Sequence, residues 1–279
     1  MIIVEKLSEI REVLDMMNHS SISIGFVPTM GALHAGHCSL ISRAKSENQV
    51  VVSSIFVNPT QFNDQSDLSN YPRTPENDAV MLSQSGCDLL FAPSVEEMYP
   101  AGLLLDIDFG PLERVMEGSY RPGHFKGVAT VVSRFFDIIK PTKAYFGEKD
   151  FQQLAIIREM TKRMHNGISI IGCETMRESD GLAMSSRNIH LTPDERALAG
   201  VIYKTLIWAS SAVKHDAIEK VRQEAVTRIS SETKFTVQYL EFVDSETLQP
   251  ILNYEHNSKQ RVCVAVLTSR TRLIDNVAV

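Results

Sequence analysis

The hydrophobic pattern along the first two thirds of the chain alternates between the periods of strands and helices. Short apolar runs predict strands at residues 22–27, 50–57, 88–92, 143–146 and 168–173. Apolar positions with helical spacing lie near residues 7–17, 37–47, 75–85, 125–139 and 150–165. The run at 50–57 is almost continuously apolar and β-branched, which is typical of a strand covered on both faces. The alternation predicts an α/β fold with a doubly wound parallel sheet.

The pattern changes after about residue 174. Helical patterns at 193–214 and 216–232 are followed by alternating segments at 235–243 and 261–268. Helices followed by strands of this kind predict a smaller α+β domain. We therefore expect a larger domain at residues 1–174 and a smaller one at 175–279. Residues 58–75, rich in Pro, Asn, Asp and Ser, are expected to form a long functional loop.

Composition narrows the class of protein. A chain of 279 residues, 43% hydrophobic and 22% charged, has the balance of a globular protein. The net charge of -6 argues against a nucleic-acid partner or binding to a membrane surface. No apolar run approaches the roughly 18 residues of a spanning helix, and no signal-peptide pattern opens the chain. The four cysteines lack C-x-x-C spacing, so we expect neither a zinc site nor disulfides, and a cytoplasmic location.

The most informative motif is Pro28–His37, which joins the predicted strand at 22–27 to a helical pattern. Helix N-termini present unpaired N–H groups and attract phosphate. Gly36 allows the backbone to approach a ligand, and His34 and His37 are spaced to converge on one anion. A lone histidine at such a position is more often a cap or a solvated side chain. The pair in this context predicts a nucleotide phosphate site.

Polar residues also follow the second strand. Asn58 and Gln61 are neutral hydrogen-bonding groups at the carboxyl end of the strand at 50–57. Amides can bind a small acid or alcohol without adding charge. Because Asn-Pro is a common turn initiator, a purely structural role is an equal alternative.

Two later segments carry charges suited to phosphate. Gly147–Asp150 joins a strand to a helix, with Lys149 available for phosphate and Asp150 for ribose or as a helix cap. Ser185–Arg187 offers two hydroxyls and a guanidinium that can close on a triphosphate, although a flexible linker has similar composition. A further loop contains Arg121 and His124 and suggests a lid or a subunit contact.

Taken together, these motifs resemble the pantoate–β-alanine ligase family over nearly the whole chain. Further matching landmarks are Asn58–Phe62, Tyr71–Arg73, Arg121–Phe125, Gly147–Asp150 and Met184–Arg187. The resemblance implies a Rossmann-like domain, a small C-terminal domain that covers the site, and a homodimer. It also implies ATP-dependent condensation of (R)-pantoate with β-alanine, through pantoyl adenylate, with release of AMP and diphosphate.

The resemblance also assigns residues to roles. His37, His34 and Lys149 are the expected catalytic groups. Gln61, Gln153 and Asn58 are expected to bind pantoate or β-alanine. ATP is expected to contact Met30, Gly31, Ala32, Leu33, His34, Ala35, Gly36, His37, Gly147, Glu148, Lys149, Asp150, Met176, Met184, Ser185, Ser186 and Arg187.

The expected metal is Mg²⁺ carried by ATP. Some relatives have an acidic pair and a glutamine after the Tyr-Pro-Arg-Thr-Pro segment, where this chain has Asn77, Asp78 and Met81. This departure favours a metal held by triphosphate and water, and we expect no metal ligands on the protein, the histidines included.

Two alternatives remain. Another adenylyltransferase with the same histidine loop would transfer AMP to a phosphate and need a markedly basic acceptor site, which the neutral Gln61 and Gln153 do not provide. A non-catalytic nucleotide-binding module would not need both histidines together with Lys149 and Ser185–Arg187.

Overall fold

The computed structural model describes residues 1–17, 22–100 and 105–279. The chain divides into two compact units. The first comprises residues 1–109, 121–148 and 153–174, and the second comprises residues 110–120, 149–152 and 175–279. The division into domains at residue 174 remains our proposal, and two short earlier segments group with the second unit.

The helices and strands alternate through the first unit as the periodicity predicts. The helices described are α1 (Leu7–Met16), α2 (Ala35–Glu47), α3 (Gln65–Asn70), α4 (Pro75–Ser85), α5 (Val95–Met98), α6 (Met116–Tyr120), α7 (His124–Ile139), α8 (Phe151–Met164), α9 (Pro193–Leu198), α10 (Val201–Ala212) and α11 (Ile218–Glu232). The strands are β1 (Ile2–Val4), β2 (Ile24–Thr29), β3 (Val50–Ile55), β4 (Leu89–Phe91), β5 (Lys143–Gly147), β6 (Ser169–Cys173), β7 (Thr236–Asp244), β8 (Gln260–Leu267) and β9 (Arg272–Ala278).

The sheet of the first unit has the strand order β1-β4-β3-β2-β5-β6, and every pair is parallel. Each of the five predicted strands of this region is present. Strand β1 was not predicted, because it has three residues, two of them exposed. Phe26 of β2 packs against Phe135 and Phe136 of α7, with ring centroids 5.4 and 6.4 Å apart, so this helix covers the centre of the sheet.

The order of the strands identifies where a ligand belongs. From β2 the chain builds β3 and β4 on one side of the sheet and then places β5 and β6 on the other. The carboxyl ends of β2 and β5 therefore flank the point where the winding direction reverses, which is the usual binding crevice of such sheets. The histidine loop follows β2, and Gly147 ends β5.

The segment at 58–75, predicted to be a loop, contains a 3-10 turn at Pro59–Gln61 and helix α3. Asn58 caps the turn by accepting from the Thr60 N–H, and Asp64 caps α3 by accepting from the Ser66 N–H. Asn, Asp, Ser and Pro are common both in loops and at the starts of helices, which explains why the sequence predicted a loop where the structure has a turn and a helix.

In the second unit, strands β7, β8 and β9 form an antiparallel sheet in that order. Residues of α10, α11 and the three strands share one hydrophobic core. The predicted helix at 193–214 is two helices, since the chain breaks at Gly200, where a Cβ would lie 2.8 Å from the Asp180 carbonyl oxygen. Strand β9 was not predicted. The parallel sheet with helices, followed by a small antiparallel sheet, confirms the α/β fold class.

No helix in the described ranges is both long and apolar enough to cross a membrane.

Candidate active site

His34 and His37 together cap the N-terminus of α2. His34 is the N-cap residue, and its Nδ1 accepts from the Gly36 N–H at 3.1 Å. The Nδ1 of His37 accepts from the His34 N–H at 3.3 Å, which completes a reciprocal capping box. The two rings lie 4.1 Å apart between centroids. An Nδ1 that accepts carries no proton, so the ring hydrogen of both neutral imidazoles is on Nε2.

This arrangement suits phosphate. A helix N-terminus contributes a positive dipole end, and each Nε2–H lies on the ring edge opposite the capping bond. The sequence could not specify the tautomers. The structure assigns them through the capping bonds, and both rings become donors without needing a net charge.

The loop before the histidines has an unusual backbone. Gly31 has φ +81°, and Ala32 follows with φ +49°. A Cβ at Gly31 would lie 3.0 Å from Asp78 Oδ2 and 3.2 Å from Ile55 Cγ2, so position 31 combines a left-handed backbone with very little space. The Gly31 N–H also donates to Thr29 Oγ1 at 3.2 Å, which ties the loop to the end of β2.

Asp78 of α4 fastens the next two residues of the loop. Its Oδ2 accepts from the Ala32 N–H at 2.9 Å, and its Oδ1 accepts from the Leu33 N–H at 2.8 Å. The Thr74 hydroxyl donates to Oδ1 at 3.0 Å. The Asp78 residue is 1% exposed. The carboxylate is therefore committed to the backbone of the histidine loop.

Asn58, which follows β3 and precedes the turn at Pro59–Gln61, is buried and uses both ends of its amide. Its Nδ2 donates to Gln61 Oε1 and to the Gly127 carbonyl oxygen, each at 3.1 Å. Its Oδ1 accepts from the Thr60 hydroxyl and from Tyr99 OH, each at 2.9 Å. Burial raises the pKa of Tyr99 to about 12, so its phenol remains a donor at neutral pH. Asn58 thus orients the Gln61 amide.

The Gln61 side chain points its Nε2 toward the histidine loop, where it lies 3.2 Å from the sulfur of Met30. The backbone of Gln61 is held from α7. His124 Nδ1 lies 2.8 Å from the Gln61 carbonyl oxygen, and because a carbonyl only accepts, this nitrogen carries the proton. Arg121 donates to His124 Nε2 at 3.2 Å and to the same carbonyl at 3.4 Å. Arg121 and His124, expected to form a lid or a subunit contact, support Gln61.

The two glutamines at the start of α8 have different surroundings. Gln152 is buried, accepts from the Glu117 N–H, and donates to the carbonyls of Leu112 and Val115. Gln153 is half-buried, and no hydrogen bond of its side chain is found among the described residues. Gln152 is thus structural, whereas the Gln153 amide is available to a ligand.

The residues after β5 that were predicted to contact phosphate lie at the end of the strand and just beyond it. Gly147 ends β5, and a Cβ there would meet open space. Glu148 lies beside Gly172 of β6. In the second unit, the Lys149 ammonium lies 3.3 Å from Asp150 Oδ1, and the Lys149 carbonyl accepts from Asn276 Nδ2 at 2.9 Å.

Met176 and Met184 face each other across a short antiparallel hairpin of the second unit. The Met184 N–H donates to the Met176 carbonyl at 2.9 Å, and Arg177 and Ala183 pair between them. Arg177 anchors the hairpin through a two-pronged ion pair with the buried Asp275, at 2.7 and 3.0 Å. Beyond the hairpin, Ser185 caps a 3-10 turn at Ser186–His190 that carries Arg187.

The described residues do not fit a protein-held metal ion. Nowhere in these ranges do three or more His, Cys, Asp or Glu side chains converge in a metal-binding arrangement. Of the three positions compared with relatives, Asp78 is occupied by backbone N–H groups, and Asn77 Nδ2 lies 3.5 Å from the Met81 sulfur.

The supporting roles of Asp78, Tyr99, Arg121 and His124, which hold the histidine loop, Asn58 and Gln61, were not predicted from the sequence. They act through contacts with residues 41 to 63 positions away along the chain, which periodicity cannot detect. Gly127 was a usable signal, because a glycine inside a strongly apolar helix indicates close backbone approach.

A parallel sheet with a histidine-capped helix at its switch point is typical of α/β nucleotide-binding proteins. Comparison with known proteins gives the family. The sequence matches the pantoate–β-alanine ligase family over residues 2–278. A pantothenate synthetase from Phocaeicola vulgatus is 48% identical over 276 residues, covering 99% of this chain and 98% of the relative.

Solved structures agree. The pantothenate synthetase of Thermus thermophilus is 41% identical, with a TM-score of 0.90 and 99% of each chain covered. The Francisella tularensis pantoate–β-alanine ligase, described as complexed with β,γ-ATP and β-alanine, is 37% identical, with a TM-score of 0.84, covering 99% of this chain and 97% of that one. The chain belongs to the pantoate–β-alanine ligase family. It is an ATP-dependent ligase that joins pantoate to β-alanine.

Proposed function

We propose that the ligation proceeds in two steps through an acyl adenylate. The pantoate carboxylate oxygen attacks the α-phosphorus of ATP, the bond to the bridging oxygen breaks, and diphosphate leaves. The amine of β-alanine then attacks the acyl carbon, forming the amide of pantothenate and displacing AMP as the leaving group. The amine loses one proton in this second step.

We assign His34 and His37 to the phosphates of ATP. The observation that carries this assignment is the capping box, which places a proton on Nε2 of each neutral ring. Fixed donors of this kind stabilise oxygens that gain charge as diphosphate departs, without reorganising during the reaction. The remaining loop residues, Met30–Leu33, Ala35 and Gly36, line the nucleotide in this proposal, while the N–H groups of Gly31, Ala32, Leu33 and Gly36 bond within the protein.

We assign Gln61 and Gln153 to pantoate. A neutral amide can donate to the carboxylate and accept from a hydroxyl, and adds no charge that would oppose attack by the carboxylate. The Gln61 amide is oriented by Asn58, so Asn58 contributes to pantoate binding through Gln61.

The assignment of Gly147, Glu148, Lys149, Asp150, Met176, Met184, Ser185, Ser186 and Arg187 to ATP rests on the family resemblance. Lys149 offers a compact charge to phosphate oxygens, and Arg187 offers a planar fork of donors. The backbone of Met176 is proposed to meet adenine.

We further propose that Mg²⁺ enters with ATP as part of the substrate, that the enzyme is a homodimer, and that it works in the cytoplasm. The four cysteines are all free thiols, which suits a reducing compartment. Sedimentation velocity measures the dimer directly, and a single species with the 31.2 kDa mass of one chain would contradict it.

Exchange of labelled diphosphate into ATP tests the first step. We expect exchange that depends on pantoate and does not need β-alanine, because the adenylate forms before the amine reacts. In His37→Ala the exchange rate falls by about 10²–10³-fold, as for loss of one oxyanion donor.

The control for that variant is His215→Ala, which removes an exposed histidine of the second unit and keeps the wild-type rate. Absence of pantoate-dependent exchange in the wild type would exclude the adenylate. Full exchange in His37→Ala would exclude the role given to the histidine.

A further inference from the structure

We propose that Asp78 is the residue that sets the conformation of the histidine loop, and that it acts on catalysis through that backbone and not as a metal ligand. The family resemblance places Asp78 where an acidic pair is expected, which invites a metal-binding interpretation. The contacts of Asp78 in this chain favour a different role.

The first argument is geometric. Successive N–H groups of Ala32 and Leu33 converge on the two oxygens of one carboxylate, at 2.9 and 2.8 Å. The backbone turns here through two residues with positive φ, Gly31 and Ala32, and successive N–H groups in a turn can face one anion. Oriented backbone amides of this kind form an anion site, and here the anion is part of the protein.

The second argument is burial. Asp78 is 1% exposed, and the Thr74 hydroxyl supplies a third bond to Oδ1. These bonds use three of the roughly four lone-pair sites of the carboxylate, so a metal ion could take only the remaining site on Oδ2, at a residue with almost no exposed surface. Asn77, next to it on α4, is exposed and donates to the Met81 sulfur.

The third argument is position along the loop. Leu33 directly precedes His34, whose own N–H donates to His37. Fixing the amides of Ala32 and Leu33 therefore fixes the start of the capping box and the placement of both Nε2–H donors. In this proposal Asp78 is a positioning residue. Its effect on the loop backbone is independent of the role proposed for the histidines, and only the expected effect on kinetics rests on that role.

The decisive variant is Asp78→Asn, which keeps the shape but places an amide NH₂ against one of the two backbone N–H groups. We expect hydrogen exchange of the Ala32 and Leu33 amides, followed by NMR, to become roughly ten times faster or more, as for loss of one hydrogen bond. We also expect kcat/KM for ATP to fall by about 10²-fold, as for a 1 Å misplacement. The Mg²⁺ concentration for half-maximal activity stays at the wild-type value.

Asn77→Ala is the matched control on the same helix, with wild-type exchange and kinetics expected. Thr74→Val removes only the third bond and gives a smaller loss of roughly three- to tenfold, which preserves the test if Asp78→Asn does not fold. A metal-ligand role predicts the opposite pattern in Asp78→Asn: unchanged amide exchange, and activity restored by raised Mg²⁺.

That opposite pattern, or an unchanged kcat/KM for ATP, would overturn the proposal. The amide-exchange result needs no substrate, so it separates failure of this inference from failure of the adenylation chemistry. If diphosphate exchange is absent in the wild type but the Ala32 and Leu33 amides still lose protection in Asp78→Asn, the positioning role stands and the chemistry does not.

Discussion

Gly127 offers a sharp test of how α7 positions Gln61. A Cβ at residue 127 would lie 2.3 Å from the Thr60 carbonyl oxygen and 2.8 Å from the Gln61 backbone nitrogen. Ordinary contact begins near 3.4 Å. In Gly127→Ala the turn at Pro59–Gln61 must therefore retreat by roughly 1 Å, a displacement of the size that costs about 10²-fold in a positioned reaction.

Two effects on stability oppose each other in this variant. Alanine is favoured over glycine inside a helix by about 1 kcal/mol. Overpacking against a backbone costs about 1–3 kcal/mol, and the clashing atoms are backbone, which cannot move aside cheaply. A clash with backbone belongs in the upper part of that range, about 2–3 kcal/mol, so we expect a net loss of about 1–2 kcal/mol and a fall in Tm of roughly 2–8 °C.

The assay is steady-state kinetics with pantoate varied at saturating ATP, together with calorimetry. We expect kcat/KM for pantoate to fall by about 10²-fold. Gly167→Ala is the control outside this helix, where φ is +119° but nothing lies within 4 Å. Its backbone strain costs about 1–3 kcal/mol with no effect on pantoate. A Gly127→Ala enzyme with raised Tm and unchanged pantoate kinetics would refute the packing argument.

Four further variants probe individual side-chain contacts. Gln153→Ala raises KM for pantoate with little change in Tm. Gln152→Ala lowers Tm, because three backbone groups lose their partner. A raised KM in Gln152→Ala together with a lowered Tm in Gln153→Ala would reverse the two assignments. Glu117 accepts two bonds from Arg272, and Glu117→Ala should cost about 3–5 kcal/mol in urea unfolding, because the guanidinium loses its carboxylate and keeps only the neutral Gln238 as a partner. A loss under about 1 kcal/mol would contradict this expectation. Backbone N–H groups of Ser269 and Thr192 lower the pKa of Glu195 from 4.5 to about 2. The ionised form therefore adds stability above about pH 4.5, of order 1 kcal/mol after allowing for solvent. The difference in unfolding free energy between the wild type and Glu195→Gln should disappear as the pH falls from 4.5 to 2. A difference that stays constant over this range would contradict the expectation.

The elements of the fold were predictable wherever a segment has one clear period. Strand β3 shows a continuous β-branched run, and α4 begins with Pro75 and ends before Gly86, which has φ +97°. Strand β1 and the break at Gly200 were not predicted. The first is too short to show a period. At the second, the residues between the two helices, Ala199 and Gly200, keep right-handed helical dihedrals, so the hydrophobic period continues across the break.

The candidate site was predictable to a different extent. The place of His34 and His37 at the start of a helix was predictable from the sequence, and their role toward phosphate stays a prediction. Their tautomers, the committed amide of Asn58 and the buried carboxylate of Asp78 depend on partners distant along the chain. The sequence shows such residues only as ordinary polar side chains in a helix or a loop.

The position of β2 within the sheet has a consequence for the order of folding. Its pairing with β3 closes a short stretch of chain, but its pairing with β5 joins Ile24 to Thr142, 118 residues apart. Closing a long stretch is slow, because loop entropy is lost before contacts compensate for it. The crevice between the ends of β2 and β5 therefore forms late. A nascent chain can cap its histidine helix early, but it has no complete nucleotide site until synthesis has passed β5.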